Sequence, residues 1–150
     1  MKRFTVKKMD IEDLDEVQLI AASSSFNPWS KNMFTGEMGN PFSRCFIIKI
    51  RERSNPPVLG FICFRNVEDE SELLNICVHP QYRQLGVGKR LMQFYFGFSS
   101  RKKIKTYYLE VNSSNLPAMN LYQSFSYQSF GIRKKFYQGK FDAILMVKRI

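Results

Sequence analysis

The spacing of apolar residues changes several times along the chain, and each change marks an element. After Asp10, the apolar positions Ile11, Leu14, Val17, Leu19 and Ile20 recur at mostly helical intervals. Asp and Glu crowd the first turns, where the positive end of a helix dipole favours them. Ser30 stands where a shorter helix, running to about Met38, needs an N-cap oxygen. Residues 45–50, 58–64 and 72–78 are strand-length apolar runs, with a turn at Asn55-Pro56-Pro57 and a stop at His79-Pro80. Residues 87–98 return to helical spacing, with Leu91, Met92, Phe94 and Tyr95 near one face. A buried strand over 106–111, a helix over 116–125 and two strands, 127–137 and 141–147, around the turn at Gly139 complete the chain. With a short first strand at 4–6, the predicted order is β-α-α-β-β-β-α-β-α-β-β, a mixed α/β domain with helices covering a central sheet.

The length of 150 residues suits one domain spanning 1–150. No internal repeat interrupts it, and the loops at 23–29, 36–43, 53–57 and 112–117 are short enough to lie within one domain. Fourteen phenylalanines predict an aromatic-rich core. No apolar run approaches the roughly 20 residues of a membrane span. Residues 1–10 lack the continuous apolar stretch of a signal peptide, so the expected compartment is the cytosol. Cys45, Cys63 and Cys77 are odd in number, form no CxxC pair and sit in apolar runs, which predicts buried reduced thiols rather than a catalytic thiol. The single histidine, His79, belongs to no metal-ligand cluster, so no metal is expected. The net charge of +10 favours acidic partners such as nucleic acid, phosphate-rich cofactors or a ribonucleoprotein surface. The densest basic runs, 101–103 and 133–135, read equally as solvated faces.

Chemistry concentrates in Arg83-Gln84-Leu85-Gly86-Val87-Gly88, between a strand and a helix. Glycines let the backbone turn tightly, consecutive N–H groups then point into one concavity, and the next helix adds its positive end. That is a phosphate cradle. It is neither a Walker A loop, which needs a following Gly-Lys-[Ser/Thr], nor GxGxxG, which needs a third glycine; taken alone, it reads better as a plain tight turn.

The context is more specific. The run Leu74-Asn75-Ile76-Cys77-Val78-His79-Pro80-Gln81-Tyr82-Arg83-Gln84-Leu85-Gly86-Val87-Gly88 closely resembles the signature of the GNAT acetyltransferases, in which a strand ending in V-x-P leads through Y-[RQ]-x-x-G-[VIL]-G into a helix. Further on, Tyr108-Leu109-Glu110-Val111 followed by Asn115, Ala118, Leu121-Tyr122 and Phe125 resembles the "LEV…SN…A…LY…GF" stretch of the bacterial ribosomal-protein alanine N-acetyltransferases. Residues 132–137 and 142–146 agree with that group, and Asn27-Pro28-Trp29-Ser30 resembles its "PW[ST]" loop. Asn112 stands where the group often has Arg, and Ser126-Tyr127 replaces its Gly-Phe.

The resemblance implies an α/β (α+β) GNAT fold, a central mixed, mostly antiparallel sheet flanked by about four helices. It implies acetyl-coenzyme A as co-substrate, its pyrophosphate on Arg83, Gln84, Leu85, Gly86, Val87 and Gly88, and its acetyl-pantetheine arm beside Ile76, Cys77 and Val78. The Val78 N–H would polarise the thioester carbonyl. Asn115 matches a coenzyme-contacting position and equally suits a helix N-cap. By the same match, Glu110 would take the proton of the acceptor amine and Tyr122 would protonate the leaving sulfur. Trp29 and Tyr137 would contact substrate, Tyr137 being equally readable as an ordinary strand aromatic. The expected acceptor is the N-terminal amine, of Ala or Ser type, of a protein, with a ribosomal protein as the expected partner. An α-amine titrates near ~7.7–8.0 against ~10.4 for lysine, so it asks less of a single carboxylate base. Two other readings stay open: acetylation of lysines or small amines, which the positive charge mildly disfavours for polycations, and a non-catalytic module binding RNA or ribosomes.

Overall fold

The computed structural model describes residues 4–24, 26, 28–51 and 54–150. Asn27 of the 27–30 motif and Arg53 of the turn before Pro56 lie outside the described residues. The elements follow the predicted order, with strands β1 (Phe4–Lys8), β2 (Ser43–Ile50), β3 (Val58–Val67), β4 (Glu70–Val78), β5 (Thr106–Asn112), β6 (Gln128–Tyr137) and β7 (Phe141–Arg149). The helices are α1 (Leu14–Ala22), α2 (Lys31–Met38), α3 (Val87–Ser100) and α4 (Leu116–Ser124), with 3₁₀ turns at Ile11–Asp13 and Pro80–Tyr82. No helix among the described residues is long and apolar enough to cross a membrane.

Local chemistry explains where the helices begin. Asp10 and Asp13 form a reciprocal capping box, in which the Asp10 N–H donates to Asp13 Oδ2 at 2.8 Å. The chain therefore enters through a 3₁₀ turn, and the buried stripe of α1 is Leu14, Val17, Ile20 and Ala21. Ile11 and Leu19, expected on that stripe, point to solvent at 71% and 73% exposure. Ser30 caps α2 by accepting from the Met33 N–H.

The sheet runs β1-β2-β3-β4-β5-β7-β6. Every neighbouring pair is antiparallel except β4–β5, which is parallel. One face carries α3 and α4 over a core that includes Phe64, Leu91, Tyr95 and Tyr107; the other carries α1 and α2 over Val17, Phe34, Ile47 and Phe61. The aromatic core is realised as Phe46, Phe64, Phe94, Phe98 and Tyr95 in ring contacts of 4.5–6.0 Å.

An irregularity in the centre of the sheet matters most for function. Against β3, Phe64 pairs with Leu73 but Cys63 pairs with Asn75, so Leu74 is an extra residue in β4. A bulge bends its strand and raises the local twist. At that point β4 leaves β5: parallel pairing extends from Glu70–Thr106 to Leu73–Leu109 and stops. Leu73 packs into the α3 core and Leu74 against the α1 core, yet beyond the bulge Ile76 and Val78 lie against the α3 core while Cys77 faces α1.

Candidate active site

The parting of β4 and β5 opens a cleft. Its walls are Leu74, Asn75 and Ile76 on one side and Glu110, Val111 and Asn112 on the other, with Asn115 and Tyr122 from α4, Tyr137 from β6, and Ser24 and Phe26 also lining it. Strand alternation explains the outward carboxylate. Tyr107, Leu109 and Val111 face the α3 core, so Glu110 must face the opposite side.

Glu110 is a quarter exposed, and its Oε1 lies 3.1 Å from a guanidinium nitrogen of Arg133 on β6. Tyr122 is buried between cleft and core, its ring edge-on to Tyr127 at 5.8 Å. Burial, then the neighbouring Tyr137 and Cys77, pushes the Tyr122 phenol far above the ordinary tyrosine value, so it keeps its proton throughout the neutral range. Burial first, and Glu110 second, raise Tyr137 as well, which sets its hydroxyl in the field of that carboxylate. The cleft thus brings together the Glu110 carboxyl and a Tyr122 phenol held protonated.

Asn115 caps α4, its Oδ1 accepting from the Ala118 N–H at 3.3 Å, and it also lines the cleft. Ile76 and Val78 lean toward α3, and Cys77 is buried toward α1. Cys77 Sγ donates to the Ile20 carbonyl at 3.5 Å, and burial raises its thiol despite the nearby Arg83.

Beyond β4, His79 Nδ1 accepts from the Gln81 N–H at 3.1 Å and the ring packs edge-on against Tyr82 at 5.1 Å, so the histidine closes a turn. Arg83 Nε donates to the Val78 carbonyl at 3.2 Å. Gln84 and Gly86 then take positive φ of 61° and 85°, the conformation that lets successive N–H groups face one concavity. Gly86 precedes α3 without a side-chain cap, and no acidic residue occupies the first turn. The leading N–H groups of α3 are therefore available to an anion, with Lys89 and Arg90 on the same turn. At Gly88 a Cβ would already sit 3.5 Å from Leu121 and 3.7 Å from Val78, so a larger side chain would press on α4 and β4.

Trp29 stands apart from these groups. It is only 9% exposed, packs edge-on against Phe34 at 5.2 Å and does not line the cleft; it anchors the approach to α2 in the α1–α2 core. Its large apolar ring is better buried there than left at a water-facing site. Two charged neighbours of Glu110 are not paired with it by the sequence. Arg133 reads as part of a basic run and of the 132–137 stretch that resembles the family. Glu72 looks like an ordinary outward strand residue, yet its carboxyl is raised, first by burial and then by the charge of Glu110, against the opposing pull of Arg65 and Arg133. The parallel pairing of Glu72 with Tyr108, two residues before Glu110 on the same face, accounts for that coupling. Among the described residues no group of His, Cys, Asp and Glu is arranged to hold a metal ion.

Known proteins are similar to this chain in sequence and fold. A Bacillus subtilis protein, provisionally named a ribosomal protein bS18-alanine N-acetyltransferase, is 34% identical over 144 residues, covering 94% of this chain and 92% of its own length. The crystal structure of the Escherichia coli ribosomal-protein-S18-alanine N-acetyltransferase superposes with a TM-score of 0.86 at 28% identity, over 98% of this chain and 94% of that one. Arabidopsis thaliana NAA60, solved in complex with acetyl-CoA, shares the fold at 20% identity, with a TM-score of 0.86 and 98% coverage of both chains. Residues 10–127 match the acetyltransferase (GNAT) family, and the chain belongs to that family.

Proposed function

We propose that the chain, acting as one domain over residues 1–150, transfers an acetyl group from acetyl-coenzyme A to the N-terminal amine of a protein, with a ribosomal protein of the bS18 type as acceptor. The observation that carries this reading is the placement of Glu110, Tyr122, Tyr137 and Asn115 around one cleft where β4 leaves β5. The names of the Bacillus and Escherichia relatives support the acceptor. Action on a ribosomal protein implies work in the cytoplasm.

The residues present suit the co-substrate. The positive-φ backbone of Gln84 and Gly86, the uncapped start of α3 and the cations Arg83, Lys89 and Arg90 form a donor set for a pyrophosphate. When bound, acetyl-coenzyme A supplies the activated thioester. Ile76, Cys77 and Val78 offer the strand edge along which its arm lies, and the Val78 N–H polarises the carbonyl. Glu110 accepts a proton from the acceptor ammonium, directly or through water, and thereby frees the amine lone pair. As the new N–C bond forms and the C–S bond breaks, Tyr122 donates its proton to the departing sulfur, and the proton left on the acylated nitrogen returns through water to the tyrosine. Arg133 positions Glu110 through their 3.1 Å ion pair, and Tyr137 lines the acceptor side.

The test is thiol release from acetyl-coenzyme A with three acceptors: peptides with a free N-terminal Ala or Ser, the same peptides N-terminally blocked but carrying Lys, and spermidine. Turnover confined to free N-termini, and strongly reduced in Glu110→Gln, is the expected result. Turnover confined to Lys peptides or spermidine would overturn the acceptor while leaving the family chemistry intact.

A further inference from the structure

Away from the cleft, β2 and β3 set two cysteines side by side. Cys45 and Cys63 are direct partners in the antiparallel register. Hydrogen bonds nearby fix the kind of pair. The Asn66 N–H donates to the Phe42 carbonyl at 3.0 Å, three steps along the same register. Bonded and non-bonded pairs alternate in an antiparallel ladder, so Cys45 and Cys63 form a non-bonded pair. Independently, the Cys45 carbonyl points the other way and accepts from the Met9 N–H at 2.9 Å. Non-bonded pairs are the closer kind, with Cα atoms about 4.5 Å apart and side chains on one face. That lies at the short end of the roughly 4.4–6.8 Å that a disulfide spans. Both thiols are free, and both face the α1–α2 core.

The two sulfurs are not equivalent. Cys45 borders an open groove lined also by Lys8, Met38, Arg44 and Phe98. The neighbouring Cys63 thiol, its largest influence, lowers the Cys45 thiol below its ordinary value. Cys63 is fully enclosed, and burial raises it well above the ordinary value. A small oxidant reaching the groove therefore meets the more acidic sulfur first, with the second thiol waiting behind it.

We propose that Cys45 and Cys63 are a redox modification site that closes to a reversible intrachain disulfide under hydrogen peroxide. The Cys45 thiolate attacks one peroxide oxygen, the O–O bond breaks, hydroxide leaves, and Cys45 becomes a sulfenic acid. The Cys63 sulfur then attacks the Cys45 sulfur; the S–O bond breaks, and the hydroxyl departs with the Cys63 proton as water. In total two thiols give up two electrons and two protons, and one peroxide becomes two waters. Cys77 is the internal control, a buried thiol whose sulfur is engaged with the Ile20 carbonyl rather than with another sulfur.

The full chain at low concentration is treated with hydrogen peroxide, its remaining thiols are alkylated under denaturing conditions, and linked peptides are identified by mass spectrometry. Free thiols should fall from three per chain to one. The linked peptides should contain Cys45 and Cys63, Cys77 should be the residue alkylated, and dithiothreitol should restore all three. Cys63→Ser should give no intrachain link. Three thiols persisting in the wild type, a link involving Cys77, cross-linking between chains, or Cys45 passing to sulfinic acid without a bridge would each overturn the proposal.

Discussion

Ser126→Gly should stabilise the protein. α4 ends in a motif that demands a left-handed residue. The Tyr127 N–H returns to the Tyr122 carbonyl at 3.1 Å and the Ser126 N–H to the Gln123 carbonyl at 3.0 Å, the paired bonds of a Schellman cap. Ser126 is the residue that takes the positive φ, at 71°. Its side chain is solvent-exposed, so the substitution sacrifices no packing. A non-glycine residue in this region costs about 1–2 kcal/mol. Glycine's larger entropy in the unfolded chain returns about 0.5–1 kcal/mol of that. The net gain is about 0.5–1 kcal/mol, a rise of roughly 2–3 °C in Tm for a chain of this size. Thermal melts followed by circular dichroism, with urea midpoints at 25 °C as a second measure, give the answer. Turnover should not change, because Tyr122 keeps its ring contact and its cap. A Tm that falls or stays level would refute the claim that the cap is strained at this position. It would also remove the physical account of why the related sequences carry glycine here.

Other consequences follow from the same geometry. Tyr122→Phe should lower kcat by about 10²–10⁴-fold, the usual contribution of a positioned acid, with little change in KM for acetyl-coenzyme A. Tyr127→Phe is the matched control: its hydroxyl is buried near that of Tyr95 but has no hydrogen-bond partner among the described residues, so kcat should hold and stability should be unchanged or higher. Gly86→Ala should lose about 1–2 kcal/mol of stability through its φ of 85° and raise KM for acetyl-coenzyme A, measured by denaturation and initial rates. The raised carboxyl of Glu72 means that the fold penalises its ionised form, so its contribution to stability is greatest in acid and falls as pH rises through the folded value. Glu72→Gln removes that decline, so its urea midpoint should gain on the wild type between about pH 4 and pH 7; a constant difference would show that folding does not raise the Glu72 carboxyl.

Periodicity was informative wherever one face of an element was buried and the other wet. The starts of α3 and β7, at Val87 and Phe141, fall where the pattern puts them, and Ser30 and Asn115 both cap the helices they were matched to. It failed at α1 in two places: the Asp10–Asp13 capping box takes Ile11 through a 3₁₀ turn, and Leu19, two residues from Val17, falls on the opposite face of the helix. Single-residue patterns also say nothing about which strands pair. The β4 burial alternation continues without a break through Leu74, so the bulge leaves no mark in the one-dimensional record. The candidate acid and base are legible only through the family resemblance, since Glu110 alone is an outward strand residue and Tyr122 alone a core tyrosine. Glu72 escapes both routes: its coupling to Glu110 arises from the β4–β5 register, a long-range pairing.

The extra residue at Leu74 ties these levels together. Were Leu74 paired as a regular strand residue instead of bulged, alternation would run on unbroken, and Ile76 and Val78 would turn toward the α1 face with Leu74. β4 would also have no cause to bend away from β5 after Leu73. Both β strands would then satisfy each other's backbone groups along their length, and Glu110 would face the flat side of a closed sheet. Separation instead leaves the far half of β4 with an edge that a ligand can occupy, directly upstream of the glycine loop that favours an anion. It also lets Tyr122 of α4 approach the gap from the opposite side to Glu110. The cleft is therefore not a hollow between packed elements but a broken strand pair, held open by one inserted residue and closed on either side by the two cores.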